Sequence, residues 1–430
     1  MKFTSLITLL STLFLCSLTL SAQTGYEAAI REDPSRAAGV HHAYEYIPSA
    51  ETPAPEGYKA FYVSHYGRHG SRRATNSTFK AISQYIDVVH DAGILTAEGE
   101  ALYTAVKALY ADHVGMVGEL TARGAREHRG IAQRLYDRHP GIWSDKSRPN
   151  VYVQSSNIPR CLVSMANFTA CLDDNAPQLR FDFITGDKYL DLMAHDYYDD
   201  DKISAASGAL RDSLVLANVD STRFMKAIFV DDPERVAAVV PSPLSFMYVV
   251  WGFAGMQQCT ETPGDDIFTR FFTTDELIAL YRCYNPVIYN SMGNSIEWGD
   301  NHLWAARDLA RDFIDRADAA LTDGSDIAAD LRFGHDSGIL PLAGLMDLVG
   351  AGDRLHNADA TDSWQSYRRV CMASNLQLVF FRKQGAEPLV KIYYNEEETR
   401  VRGLEPVQGP YYRWSDLKAF LEGRITQYTF

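Results

Sequence analysis

The sequence contains only six cysteines, and none sits in a C-x-x-C pair, which excludes a zinc ribbon or a dithiol redox site. Basic residues are also in deficit, with 41 Lys and Arg against 55 Asp and Glu and a formal net charge of -14. That balance argues against general binding to nucleic acid or to an anionic membrane. A local cluster of arginines can still reverse the field inside one cleft. Beyond the N-terminus there is no run of about 20 apolar residues, so no membrane-spanning helix is expected. Repeats, long linkers and low-complexity tracts are missing as well. Several reactive signatures are absent: H-E-x-x-H, the P-loop, G-x-S-x-G, and any cysteine followed six residues later by arginine. What remains is an ordinary globular composition, 46% hydrophobic and 22% charged over 430 residues. At roughly 150 residues per domain, two or three domains are expected.

The first residues read as a targeting segment. Lys2 precedes an uncharged apolar and hydroxyl-rich run from Leu6 to Leu20, and Ser21-Ala22 offers small residues for cleavage ahead of Gln23. Lipid attachment at Cys16 is the alternative, against which the bulky Leu15 counts. The expected mature chain is exported, to the periplasm or outside the cell, and keeps Cys161, Cys171, Cys259, Cys283 and Cys371. An odd number allows at most two disulfides. Cys161–Cys171 and Cys259–Cys283 are the locally plausible pairs; buried free thiols are an equal alternative.

Strand patterns fall at Tyr58–His65, Asn150–Gln154, Ala328–Gly334, Leu376–Arg382 and Leu389–Tyr394. Helical periodicity covers Ser77–Val114, Ala122–Arg138 with Thr121 as N-cap, and Pro159–Leu172. It returns at Ser242–Gln258, Thr274–Tyr284 and His302–Leu321. Strand–helix alternation at both ends around a helical middle predicts an α/β fold, a three-layer α/β core with an inserted mainly helical domain. The predicted division is a signal peptide over 1–22, the core from 23–186 and 322–430, and the insert from 187–321.

Three polar segments follow predicted strands, at the sheet edge where open α/β proteins bind ligands. The first is Ser64-His65-Tyr66-Gly67-Arg68-His69-Gly70-Ser71-Arg72. Its guanidiniums, Arg68 and Arg72, present forks of donors that fit phosphate oxygens, and the imidazole between them can attack phosphorus. In isolation, Arg-His-Gly would more simply be a basic surface turn. The second is Arg332-Phe333-Gly334-His335-Asp336, where His335 can donate to a phosphate and Asp336 can protonate a leaving alkoxide. Alone, Asp336 reads as an N-cap of the apolar helix behind it. The third is Ser155-Ser156-Asn157-Ile158-Pro159-Arg160, in which Arg160 is either a third arm of a phosphate clamp or a solvent-facing helix start.

Taken together, the three segments resemble the histidine phosphatase superfamily, in its branch of histidine acid phosphatases and phytases. That family carries Arg-His-Gly-x-Arg-x-Pro near its N-terminus and His-Asp near its C-terminus. Arg68, His69, Gly70, Arg72, His335 and Asp336 match, with Ala74 where the proline often stands. Arg160, with Ser164 four residues on, resembles the family's central phosphate-binding arginine, and Leu120-Thr121-x-x-Gly124 is also similar to this branch. Length, export signal and the Ser155–Arg160 context look most like bacterial multiple inositol-polyphosphate phosphatases, a subgroup that commonly has His-Ala-Glu in place of His335-Asp336.

The resemblance implies a metal-independent phosphomonoester hydrolase with no cofactor, acting on a small anionic substrate such as phytate. His69 would be the nucleophile and Asp336 the proton donor. Arg68, Arg72, Arg160 and His335 would hold the phosphoryl oxygens. A broad acid or sugar-phosphate phosphatase, or a non-catalytic receptor for phosphorylated ligands, are the alternatives; a receptor has no need of His69 and Asp336. His195-Asp196 with Asp199–Asp201 reads as a solvated acidic turn. His41-His42 reads as an exposed pair, and Arg123, Arg126, Arg129, Arg134 and Arg138 as decoration of one helix.

Overall fold

Alternation of large apolar side chains along the strands gives the sheet two buried faces, and helices cover both. The structure, a computed structural model, describes residues 25–193 and 199–428. The predicted signal segment with Cys16, and His195-Asp196, lie outside the described residues. The strands are β1 (Lys59–Arg68), β2 (Asn150–Ser155), β3 (Arg180–Thr185), β4 (Ile327–Gly334), β5 (Asn375–Arg382), β6 (Leu389–Tyr394), β7 (Glu397–Thr399) and β8 (Tyr411–Arg413). They form one mixed sheet in the order β3-β2-β4-β1-β5-β6-β7, with β8 on β6. The β1–β4, β4–β2 and β2–β3 pairs are parallel; β5 joins β1 antiparallel.

The main helices are α1 (Ala97–His113), α2 (Ala122–Arg138), α3 (Pro159–Asn175), α4 (Pro243–Ala254), α5 (Thr274–Met292), α6 (Arg307–Leu321), α7 (Asp336–Leu345) and α8 (Trp414–Gln427). On one sheet face, Tyr62, Tyr66, Leu378 and Phe380 pack against Phe313 of α6, Leu340 of α7 and Leu417 of α8. On the other, Val63, Val153, Leu331 and Phe333 meet Ile131 and Leu135 of α2 and Phe168 of α3. A third apolar cluster is mainly helical and joins Leu102 and Val106 of α1 to Phe246 of α4 and Tyr281 of α5. This is the expected α/β architecture with a helical part beside the sheet.

The differences from the sequence reading have local causes. β3 is an edge strand whose residues are mostly exposed, so it lacks the buried stripe that marks its neighbours. The helical stretch 77–114 is broken at Gln84-Tyr85 and again at Gly93, which takes φ 63°, into Asn76–Ser83, Ile86–Asp91 and α1. Helix α5 runs through Pro286 to Met292, carried by a capping box at Thr273/Glu276 and by the buried Ile288 and Tyr289. The five cysteines among the described residues, Cys161, Cys171, Cys259, Cys283 and Cys371, are free and buried. No single helix among the described residues is long and apolar enough to cross a membrane.

Candidate active site

Parallel pairing brings three polar strand ends to one sheet edge. Arg68, the last residue of β1, stands opposite Gly334 of β4, and Ser155, the last residue of β2, opposite Phe333. The turn after β1, the start of α7 and the start of α3 therefore converge. Arg68 is fully buried; its Nη1 donates to the Val40 carbonyl at 2.8 Å and the Val370 carbonyl at 2.5 Å, and its Nη2 lies 2.7 Å from Asp336 Oδ2. Asp336 is the first residue of α7, and its Oδ1 accepts the neighbouring Ser337 N–H, at 3.0 Å. It does not act as the N-cap. Burial alone would raise its carboxyl; Arg68, then His335 and Arg72, more than offset this and bring it down to about 2.

His69 is buried, and its Nδ1 lies 3.0 Å from the Gly70 carbonyl. A carbonyl only accepts, so the ring proton sits on Nδ1 and Nε2 keeps its lone pair. Burial, with repulsion from Arg160, Arg68 and Arg72, holds this imidazole well below its ordinary 6.5, and hence neutral. The His335 ring stands 5.6 Å away, edge-on. Its Nδ1 lies 3.4 Å from Arg160 Nη2 and its Nε2 3.0 Å from Ser156 Oγ. Because a guanidinium only donates, Nδ1 accepts and Nε2 donates to Ser156. Burial and Arg160 bring His335 down to about 3. Arg72 is brought down to about 10 by burial and by repulsion from Arg160 and Arg68. The Nε donors of Arg72 and Arg160 are buried without an acceptor among the described residues. Three guanidiniums thus face one carboxylate, a strongly electropositive point in an acidic chain. No three His, Cys, Asp or Glu side chains among the described residues converge as a metal site.

Helix α2 holds the His69–Arg72 turn in place, a role the sequence does not announce. The Ser71 carbonyl accepts from Thr121 N and Oγ1, both at 2.9 Å. Glu127 accepts from Ser71 N at 2.7 Å, Ser71 Oγ at 2.6 Å and Tyr44 N at 3.1 Å. From the next residue, the His128 ring donates to the Arg68 carbonyl at 3.1 Å. The contact is backbone-close: a Cβ on Gly70 would lie 2.5 Å from the Gly124 carbonyl, and one on Gly124 2.3 Å from the Ser71 carbonyl. The arginines of α2 stay outside the site, Arg126 on Glu261, Arg129 on Asp174, and Arg134 and Arg138 on Glu396. Arg123 bonds the Gln258 carbonyl. Removing the Glu127 clamp with Glu127→Ala should cost about 3 kcal/mol, since it strips three bonds from a buried carboxylate. It should also slow turnover roughly 10-fold or more through misplacement of His69 and Arg72. Urea denaturation and turnover are measured together; a folded variant with unchanged turnover would show that the clamp does not position the turn.

The exposed reading of His41-His42 is corrected by the structure. His42 is 5% exposed. His41 is half-buried beside the site, next to the Val40 carbonyl that Arg68 holds, because the N-terminal segment folds back over the sheet edge.

Solved inositol-phosphate phosphatases and phytases share this fold. The multiple inositol polyphosphate phosphatase of Bifidobacterium longum, solved with inositol hexasulfate, superposes with a TM-score of 0.73 at 19% identity, over 90% of this chain and 97% of that one. The phytase from D. castellii gives 0.67 at 15% identity, over 91% and 85%. The Hafnia alvei phytase complex with tartrate gives 0.54 at 13%, over 86% and 98%. No family model and no curated protein sequence matches the chain.

Proposed function

We propose that the chain is an exported phosphomonoester hydrolase that works through a phosphohistidine and takes inositol polyphosphates such as phytate. The observation that carries the reading is the neutral His69, its Nε2 unprotonated among Arg68, Arg72 and Arg160. The guanidiniums hold the phosphoryl oxygens, joined by His335 once the bound anion draws a proton onto its Nδ1, and together they stabilise the charge that spreads over them. Nε2 attacks phosphorus; the N–P bond forms as the P–O bond to the alcohol breaks, and Asp336 gives its proton to the leaving oxygen. Water then attacks the phosphohistidine, its proton returns to Asp336, and phosphate leaves.

Asp336 is ionised while paired with Arg68, so the acid role requires the substrate phosphate to engage Arg68 and let the carboxyl rise. The arginines supply the positive charge that a metal provides in other phosphoryl-transfer sites. Phosphate release from phytate should therefore proceed unchanged with EDTA present, measured colorimetrically. A strong loss restored by Mg²⁺ or Zn²⁺ would sink the mechanism.

A further inference from the structure

The hydroxyl that follows β2 serves an imidazole on another strand end rather than its own helix. Ser156 lies just ahead of α3, where a hydroxyl ordinarily caps; the N-cap is Ile158, and no side chain bonds there. Ser156 is instead fully buried. Its N–H donates to the Phe333 carbonyl at 3.0 Å, and its own carbonyl accepts from Ser155 Oγ at 2.9 Å. The first of these ties it to the end of β4, two residues before His335, whose Nε2 stands 3.0 Å from Ser156 Oγ. The backbone of His335 is fixed as well, its N–H donating to Tyr66 Oη at 3.0 Å. Serine and ring are therefore held at bonding distance by the strands beneath them.

Which nitrogen of an imidazole is bare is set by the bond the other nitrogen makes. Nδ1 of His335 faces the phosphate site, 3.4 Å from Arg160 Nη2, while Nε2 faces Ser156. A serine hydroxyl has two lone pairs and accepts well. The other neighbour of Nε2 is Cys161 Sγ at 3.5 Å, a weak acceptor whose thiol already donates to the Gly334 carbonyl at 3.3 Å. The charged and titratable groups about His335 are Arg160 and Cys161 from α3, Tyr66 from β1, Arg68, His69 and Arg72 from the end of β1 and its turn, and Asp336 from α7. The guanidiniums oppose a second ring proton and Asp336 favours one. An anion on the guanidiniums weakens that opposition. The proton it draws then arrives at Nδ1 while Nε2–H keeps its acceptor.

We propose that Ser156 is a positioning residue for the phosphoryl transfer: its hydroxyl holds the His335 ring proton on Nε2, so that Nδ1 is the nitrogen that meets the phosphate. The proposal rests on the phosphatase reading above. The test reads the ring directly, by NMR of the chain isotope-labelled in its histidine nitrogens, with His335→Gln assigning the signals. Native His335 should show a protonated Nε2 and a bare Nδ1 when free, and both nitrogens protonated when saturated with inorganic phosphate in mild acid. In Ser156→Ala the free ring should lose its single tautomer. In the phosphate complex of that variant, the pH at which Nδ1 loses its proton should fall by about one unit, a tenfold loss of proton affinity. The alkaline limb of kcat for phytate should move down with it, whereas a merely structural serine would leave the profile in place. Ser156→Thr, which keeps the hydroxyl, should restore tautomer and profile. A native ring proton on Nδ1 overturns the proposal, and this spectrum decides the matter even if alanine prevents folding. A folded Ser156→Ala chain with the native tautomer and pH profile also overturns it. Either result leaves the phosphatase reading standing. Absence of phosphate release from both phytate and p-nitrophenyl phosphate by the native chain removes the two readings together.

Discussion

His69→Ala is expected to lower phosphate release from phytate by roughly 1,000-fold or more, the scale of losing a covalent route. The fold should survive, because the side chain bonds only its own neighbour's carbonyl while its backbone stays tied to Gly334 and Ala373. Inorganic phosphate should still bind, since Arg68, Arg72 and Arg160 are untouched. Calorimetric titration with phosphate, beside acid-stable and acid-labile phosphate measured after quenching, separates binding from transfer. The native chain should yield an acid-labile phosphoenzyme and the variant none. Residual turnover above about one per cent would count against a nucleophilic role.

Asp336→Asn is expected to have the second-largest effect, and one that depends on the leaving group. An inositol alkoxide leaves poorly without a proton, whereas nitrophenolate leaves readily. The variant should slow first-turnover phosphorylation from phytate by roughly 100-fold or more, within the range of general acid catalysis. With p-nitrophenyl phosphate the same step should slow far less. Rapid-quench measurement isolates that step from the later attack of water. Equal losses for both esters would reject the acid role and leave Asp336 as the partner of Arg68.

The ion pair makes its own contribution to stability, and its pH sign follows from the shift. The Asp336 carboxyl is held down from 3.8 to about 2 in the folded chain. The stability it contributes is therefore present above the unfolded value and is lost as pH falls through that window. Above it, Asp336→Asn leaves the fully buried Arg68 guanidinium without its counter-charge, a change that costs about 3 kcal/mol for buried pairs. Melting of the variant at neutral pH should show that loss, and the gap to the native chain should close as pH approaches 2.

The chemistry of the site was legible in short runs of sequence. Arg68-His69-Gly70 and His335-Asp336 each follow a strand pattern, and strand ends in an α/β sheet point to one edge. Thr121 was legible as an N-cap, and its Oγ1 does accept from Gly124 N, at 3.2 Å. Such signals are local: a period of two, a capping hydroxyl, a turn glycine. Glu127 and Ser156 carried none, because a carboxylate on a helix and a serine in a turn look the same whether they face water or the polar strand ends. His41 was misread for the same reason.

Local chemistry by itself thus determined that a guanidinium-flanked imidazole and a His-Asp pair lie at strand ends, and that the chain is α/β. Strand order was left to the tertiary structure. Parallel pairing of β4 between β1 and β2 makes neighbours of residues far apart in sequence, and only then do Arg160 and Ser156 reach His335, and Asp336 reach Arg68. The same packing sets α2 against the turn, closely enough that Gly70 and Gly124 admit no side chain. Those contacts depend on which faces bury each other, a property of the whole sheet and its covering helices that no single segment encodes.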